Sequence, residues 1–209
     1  AALVLPPPPV LEPAPSEARL VPVVVETGTF TSELVLTNRT STAQSVELSY
    51  VESLSPAAGA GGTATVSLAA GEQKVIPEVL DVLRGTIVGS IGPEGGSYAG
   101  SLSARFLSGG SLAAGWAGAR TGSPSKSRTG RYGLFYAGVG SSSRASSASW
   151  VYGMRQDAVV RSNVAVAASP ENASAITVRV EVYDGSTGAL AGTTDALSLS
   201  SGGWYQWSG

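Results

Sequence analysis

Residues 43–50 read AQSVELSY, and apolar and polar side chains alternate along this stretch. Val46, Leu48 and Tyr50 fall on one face of an extended chain, whereas charged and hydroxyl residues fall on the other. A repeat of two residues is typical of a β-strand that buries one face. The stretch therefore predicts a half-buried strand.

This stretch is the second of three strand patterns that occur twice in the chain. The first set is FTSELVLTN (residues 30–38), AQSVELSY (residues 43–50) and VSLAAGE (residues 66–72). The second set is VRSNVAVAA (residues 160–168), AITVRVEV (residues 175–182) and LSLSSGG (residues 197–203), with nearly the same spacing between the patterns. Three patterns in one order predict an internal duplication.

The two copies are unequal, because the second spans only the stretch from position 160 to position 209. A segment of that length supplies roughly four strands, and a lone sheet with one apolar face needs a second layer to bury it. We expect this layer to come from the first copy, from the N-terminal segment or from another chain.

Composition favours an all-β fold. The 209 residues are 43% hydrophobic and only 13% charged, with 27 glycines, which is typical of short strands and tight turns. We predict two antiparallel β-sandwich units, the first over residues 19–158 and a shorter one over residues 159–209. Residues 1–18 hold the run PPPPVLEPAP, which predicts an extended segment because proline fixes φ and lacks an N–H.

Local patterns predict three further elements. Residues 78–84 precede Gly85 and predict the one helix, with the glycine ending it. Residues 98–120 predict a hairpin that turns at two adjacent glycines. Residues 183–188 read YDGSTG and predict a hairpin turn, since the oxygen ligands of a calcium loop are missing from it.

The alternation also assigns side chains to the core. In the first copy we expect inward-facing side chains at Leu34, Leu36, Val46, Leu48, Tyr50, Val66 and Leu68. In the second copy we expect them at Val164, Val166, Val178, Val180, Val182, Leu197 and Leu199. The N-glycosylation sequons at Asn38 and Asn172 fall in equivalent loops, which predicts that this loop is exposed.

Several functional classes are disfavoured by what the chain lacks. It has no cysteine and no histidine, which removes thiolate nucleophiles, disulfides and the side chain that titrates near neutral pH. A net charge of -2 gives no general attraction to nucleic acid. The sequence contains no run of about 18 apolar residues, so it predicts no membrane-spanning helix. We expect no catalytic residue, no metal site and no cofactor.

Two groups of residues are candidates for binding. The apolar extended stretch after the prolines is a candidate assembly strand, formed by Leu20, Val21, Val23, Val24 and Val25. Cations in a glycine- and serine-rich loop, together with aromatic rings near the end of the chain, are weaker candidates for an anion or glycan: Arg120, Lys126, Arg128, Arg131, Trp204 and Trp207. A solvated loop and ordinary packing are the alternatives for this second group.

With the second copy ending in LSLSSGGWYQ, the chain resembles the tandem β-sandwich repeats of large secreted proteins from acidobacteria and similar environmental bacteria. The resemblance covers roughly residues 20–209 and rests on the strand pattern and a glycine turn. It implies immunoglobulin-like, non-enzymatic modules located outside the cell, at the cell surface or in the periplasm.

Two functions fit these expectations. The first is a structural or assembly protein, such as a filament, envelope-coat or accessory subunit of a larger complex, with protein partners that include further copies of the chain. The alternative is a module for surface adhesion or glycan binding, which would use the aromatic rings and the basic loop.

Overall fold

The fold is all-β and antiparallel, as the sequence predicts. A computed structural model describes residues 16–54, 61–86, 88–126 and 129–208. Every strand pairing in these ranges is antiparallel, and a single α-helix interrupts the strands. The proline-rich run at residues 6–15 and the loop cation Arg128 lie outside the described residues.

Eleven strands between residues 19 and 140 join in one hydrogen-bonded sheet. They are β1 (Arg19–Glu26), β2 (Thr31–Asn38), β3 (Gln44–Glu52), β4 (Gly61–Leu68), β5 (Gln73–Ile76), β6 (Val88–Ser90), β7 (Tyr98–Ser108), β8 (Ser111–Leu112), β9 (Gly115–Pro124), β10 (Arg131–Ala137) and β11 (Val139–Gly140). The main order is β10-β9-β2-β1-β7-β3-β4-β6, with β11 beside β1, β5 beside β2 and β8 beside β7.

The sheet folds over into two facing layers. Strands β1, β7, β3, β4 and β6 form one layer, and β10, β9, β2 and β5 form the other. A single bridge, Glu26 to Thr31, joins β1 to β2 at the fold. The layers are in contact, because a Cβ placed on Gly115 of β9 would lie 2.1 Å from the ring of Phe106 on β7. The two layers therefore enclose one core.

This core contains the side chains that the alternation assigns to it. Leu34, Leu36, Val46, Leu48 and Tyr50 are fully buried in one cluster. Leu68 is also buried there, and Val66 packs against the cluster from its edge. The facing of β2, β3 and β4 predicted from the two-residue period is thus confirmed, because each strand buries one face against the opposite layer.

The predicted helix is present but is longer than the sequence indicates. It is α1 (Val79–Thr86), and it packs against both β2 and β4, which belong to different layers. Val79, Leu80 and Leu83 are buried in the core. Gly85 lies within the helix and does not end it, since a glycine costs a helix only about 1 kcal/mol and these buried side chains hold the element in place.

The predicted hairpin over residues 98–120 is only partly present. Its turn is at Gly109 and Gly110, both with positive φ, and there Leu107 and Ser108 of β7 pair with β8. The chain then crosses to the other layer, where β9 pairs with β2 and β10 instead of β7. The expected pairing of β7 with β9 is therefore wrong, because the two strands face each other across the core.

The last part of the chain is a long two-stranded ribbon. Its strands are β12 (Asn163–Ala167), β13 (Ile176–Val178), β14 (Glu181–Tyr183), β15 (Leu190–Thr193), β16 (Leu197–Leu199) and β17 (Trp204–Ser208). They pair as β12 with β17, β13 with β16 and β14 with β15, so that each pair is nested inside the previous one. We call residues 163–208 the C-terminal ribbon.

The ribbon does not form the second core that the sequence predicts. Leu199 is buried, but Val164, Val166, Val178, Val180 and Leu197 are only half-buried, and Val182 is 52% exposed. The two-residue period identifies the less exposed face of β12, β13 and β16 correctly, whereas all three residues of β14 are exposed. That face stays open because no further strand among the described residues covers it.

Candidate assembly surface

The base of the ribbon is anchored on the outer face of the first sheet. Trp204 of β17 is 6% exposed and packs with Val23 of β1 and Ala99 of β7 in a second apolar cluster. Its backbone N–H donates to Ser53 Oγ at 3.0 Å. Next to it, Ser101 Oγ donates to the carbonyl oxygen of Gly202 at 2.9 Å. These contacts fix the base of the ribbon to the first sheet.

Arg144 attaches the ribbon to the start of the described chain. One of its amino groups donates to Ser169 Oγ at 2.7 Å and to Glu171 at 2.8 Å, and the other donates to the carbonyl oxygen of Ala18 at 3.3 Å. Nearby, Glu17 accepts hydrogen bonds from Ser141 and Ser142. The backbone N–H of Ser142 contributes most to lowering the pKa of Glu17.

The tip of the ribbon is the predicted hairpin turn. Asp184 Oδ1 accepts hydrogen bonds from the backbone N–H and hydroxyl groups of both Ser186 and Thr187, at 2.6 to 3.0 Å. The chain closes where the N–H of Asp184 donates to the carbonyl oxygen of Ala189 at 2.8 Å. An aspartate that caps a turn in this way is a common stabiliser of hairpin ends.

These hydrogen bonds make the tip sensitive to acid. They lower the pKa of Asp184 from 3.8 to about 2, with the hydroxyl of Ser186 as the largest contribution. A lowered pKa stabilises the folded turn above the unfolded value of 3.8, and this contribution is lost as the pH falls towards 2. We expect the amide signals of Ser186 and Thr187 to titrate near pH 2 in an NMR series, and not to titrate in Asp184→Asn. A midpoint near 3.8 would contradict the turn geometry.

The ribbon pairs its strands in the same register as β2 to β5 of the first sheet. When the two sequence copies are aligned, Ala167 and Trp204 correspond to Thr37 and Gln73, and both couples are paired across their strands. In the next pair of strands, Ile176 and Leu199 correspond to Gln44 and Leu68, and these two couples are paired as well. The pairing of β12 with β17 therefore matches that of β2 with β5, and the pairing of β13 with β16 matches that of β3 with β4.

The bend between these strand pairs matches as well. In the first sheet the N–H of Asn38 donates to the carbonyl oxygen of Glu72 at 2.9 Å, and in the ribbon that of Ala168 donates to Gly203 at 2.7 Å. Gly71 and Gly202 take the same left-handed conformation, with φ of 68° and 71°. Left-handed backbone at this bend favours glycine, since a Cβ is unfavourable there.

The strand edges differ between the two regions. In the first sheet β3 pairs with β7 along its second edge, and β2 pairs with β9 along its second edge. Within the described ranges, the corresponding edges of β13, β14 and β12 face no strand. Unpaired strand edges carry free N–H and carbonyl groups that can pair with another strand.

Exposed apolar side chains accompany these open edges. Trp150 is 63% exposed, and its ring lies 5.5 Å from the ring of Tyr183 at the end of β14. Tyr152, Val182 and Leu190 are also exposed in this part of the molecule. A group of exposed apolar side chains is typical of an interaction surface. No pattern in the sequence assigns Trp150 to this surface.

The candidate assembly strand is a paired strand of the chain's own sheet. Leu20, Val21, Val23, Val24 and Val25 all lie in β1. This strand pairs with β7 along one edge, and with β11 and the start of β2 along the other. Four of the five side chains are buried, since β1 contributes to the core on one face and contacts the ribbon on the other.

The candidate cations are spread along the β9–β10 hairpin. Arg120 forms an ion pair with Glu33 on the neighbouring strand, at 3.0 Å. Arg131 donates to Thr31 Oγ1 at 2.7 Å, and Lys126 is exposed. Arg120 and Arg131 therefore each use some of their N–H donors on neighbouring residues of the first sheet.

The two candidate tryptophans lie on opposite faces of β17. Trp204 is buried against the first sheet, as described above. Trp207 is half-buried, and its ring makes an edge contact with Tyr205, with ring centroids 4.9 Å apart. The structure therefore leaves only the face with Tyr205 and Trp207 accessible.

The loop that follows Asn38 is exposed at residues 39 and 41–43, as predicted, but Asn38 itself is buried at the end of β2. Its side chain is 1% exposed, and Nδ2 donates to the carbonyl oxygens of Thr42 and Ala69 at 2.7 and 2.8 Å. These two hydrogen bonds satisfy carbonyl groups at the bend of the chain, which explains why the amide is buried. Asn172 is half-buried in the corresponding loop of the ribbon.

Comparison with known proteins identifies no relative, because no family model, no curated protein and no solved structure is significantly similar to the chain. Among the described residues, no helix is long and apolar enough to span a membrane.

Proposed function

We propose that the chain is a non-enzymatic, extracellular structural or assembly protein made of two related immunoglobulin-like β-sandwich units, the second of which has no covering layer among the described residues. In this proposal residues 19–158 form the complete unit. The C-terminal ribbon is the counterpart of β2 to β5 alone. A strand from outside the ribbon then supplies what β7 supplies to the first unit.

The observation that carries the proposal is the combination of matching registers and missing neighbours. The ribbon shares the pairing of β2 with β5 and of β3 with β4, yet among the described residues it has open edges where β9 and β7 pair in the first sheet. A half-buried apolar face and an open edge are the features that natural proteins cover by pairing. Location outside the cell rests on the resemblance to secreted repeat proteins.

The alternative of glycan or anion binding has weaker support. Of its candidate residues, Trp204 is buried and Arg120 is paired with Glu33. The accessible rings of Tyr205 and Trp207 meet edge to face, so they do not present one flat platform for a sugar ring. The assembly function accounts for more of the observed features, namely the matching registers, the open strand edges and the exposed apolar side chains.

Light scattering after size-exclusion chromatography tests the assembly function. We expect the full chain to elute with a mass above the 20.9 kDa of one copy, and the mass to rise with protein concentration. A mass of one copy at every concentration up to the millimolar range would contradict self-association as the function.

A further inference from the structure

The outer edge of β13 and β14 has its backbone groups directed away from the ribbon. On the inner edge, the N–H of Thr194 donates to the carbonyl oxygen of Val180 at 2.9 Å, and the N–H of Val180 donates to Thr194 Oγ1 at 3.1 Å. Arg179 and Val180 join β13 to β14. Since backbone groups alternate in direction along an extended chain and those of Val180 point inward, we infer that those of Arg179 and Glu181 point outward. This edge can therefore accept an antiparallel strand at these two residues.

The charges on this edge decide which strand fits. In the first sheet, Glu47 of β3 pairs with Arg105 of β7 across the strands, at 2.7 Å. In the alignment that matches Gln44 with Ile176, the counterpart of Glu47 is Arg179, so the charge is reversed in the ribbon. A strand like β7 would place arginine against arginine, which is unfavourable for residues directly opposite each other. The incoming strand must offer an acidic residue at this position.

The same strand of a second copy meets this requirement. If two copies align antiparallel with Val180 at the centre, Arg179 of each lies opposite Glu181 of the other. Val178 then lies opposite Val182, so the apolar faces also match. The outward backbone groups of Arg179 and Glu181 meet as hydrogen-bonded pairs, while the central Val180 pair is a non-hydrogen-bonded one, as the alternation of an antiparallel ladder requires.

We propose that two copies of the chain associate through β13 and β14 about a two-fold axis at Val180, an inference that rests on the proposed assembly function. In the free chain, Arg179, which lies between β13 and β14, donates to Glu181 at 2.6 Å, and the side chain of Arg179 remains 59% exposed. Pairing of two copies adds two reciprocal cross-strand ion pairs and a four-stranded sheet. The surface is isologous, so each copy contributes the same residues.

Charge reversal at this edge tests the pairing. Arg179→Glu and Glu181→Arg each place two like-charge pairs in the dimer, and each variant should raise the dimer dissociation constant about tenfold or more in sedimentation equilibrium. The double variant Arg179→Glu with Glu181→Arg restores opposite charges and should return the constant to within about threefold of the wild-type value. Asp195→Arg is the matched control, because this exposed aspartate lies between β15 and β16, on the side of the ribbon away from the proposed pairing edge. It should leave the constant unchanged.

The outcomes separate this inference from the proposed function. Association that none of the single variants weakens would overturn the pairing at β13 and β14 while leaving an assembly function in place. A wild-type chain that stays monomeric throughout would overturn both. Weakening by both single variants without recovery in the double variant would also overturn the register, because it would show that the charges do not face each other.

Discussion

Replacement of Leu48 by aspartate is expected to unfold the first sheet completely. Leu48 is fully buried in the core between the two layers. An unpaired carboxylate at such a position costs several kcal/mol, whether it stays charged or takes up a proton. This is comparable to the whole stability of a typical domain, about 5–15 kcal/mol. Circular dichroism and chemical denaturation of Leu48→Asp should show no cooperative transition.

The matched variant is Val180→Asp, because Val180 is the counterpart of Leu48 in the second copy. Val180 is only half-buried and belongs to the ribbon, so its replacement should leave the stability of the first sheet unchanged within about 0.5 kcal/mol. If Leu48→Asp melts like the wild type, the core has been placed on the wrong face of β3. If both variants unfold the sheet, the ribbon and the first sheet share one core.

Replacement of Trp204 by alanine is expected to release the base of the ribbon while the first sheet stays folded. Trp204 provides the largest ring in the cluster with Val23 and Ala99. Truncation of a buried tryptophan to alanine typically costs about 3–5 kcal/mol. The ribbon has few other buried side chains, so this loss should exceed what holds its base in place. Hydrogen exchange of the amides of β12 and β17 should become fast, whereas that of β3 and β7 should not change.

Trp207→Ala is the control for this variant, because Trp207 lies on the opposite, accessible face of the same strand. We expect this replacement to lower the free energy of opening of β12, as measured by hydrogen exchange, by about 1 kcal/mol or less. Equal effects of the two replacements would show that the packing of Trp204 against β1 and β7 is not what holds the base of the ribbon in place. Loss of the first sheet in Trp204→Ala would show that the two parts fold as one unit.

Strand positions and their facing could be predicted from the sequence because they depend on local alternation. The pattern around Val46 and Leu48 determines which face of β3 is apolar, and the layers then bury that face. The same alternation identifies the apolar face of β13 and β14. Its degree of burial depends on which strands arrive from elsewhere, so Val182 could be assigned to a face but not to a core.

Contacts between distant residues could not be predicted in this way. The carboxylate of Glu26 accepts a hydrogen bond from Arg84 at 2.6 Å and another from the N–H of Gly95 at 3.0 Å, although both donors lie far along the chain. Arg144 likewise joins Ala18 to Glu171 with no motif to mark it. These pairings follow from the way the layers fold over, which the period of single strands does not encode.

The most direct test of pairing between two copies uses a single introduced cysteine. The natural chain has none, so Val180→Cys carries one thiol only. Non-hydrogen-bonded partners in an antiparallel ladder have Cα atoms about 4.5 Å apart, which lies within the range that a disulfide accepts. Val182→Cys is the control, because its two thiols would be offset by about four residues, or about 13 Å along the strands.

We therefore predict that mild oxidation converts Val180→Cys into a covalent dimer on a non-reducing gel and leaves Val182→Cys monomeric. Cross-linking of both variants to the same extent, or of neither under conditions where the wild-type chain self-associates, would contradict a two-fold pairing of the ribbon at Val180.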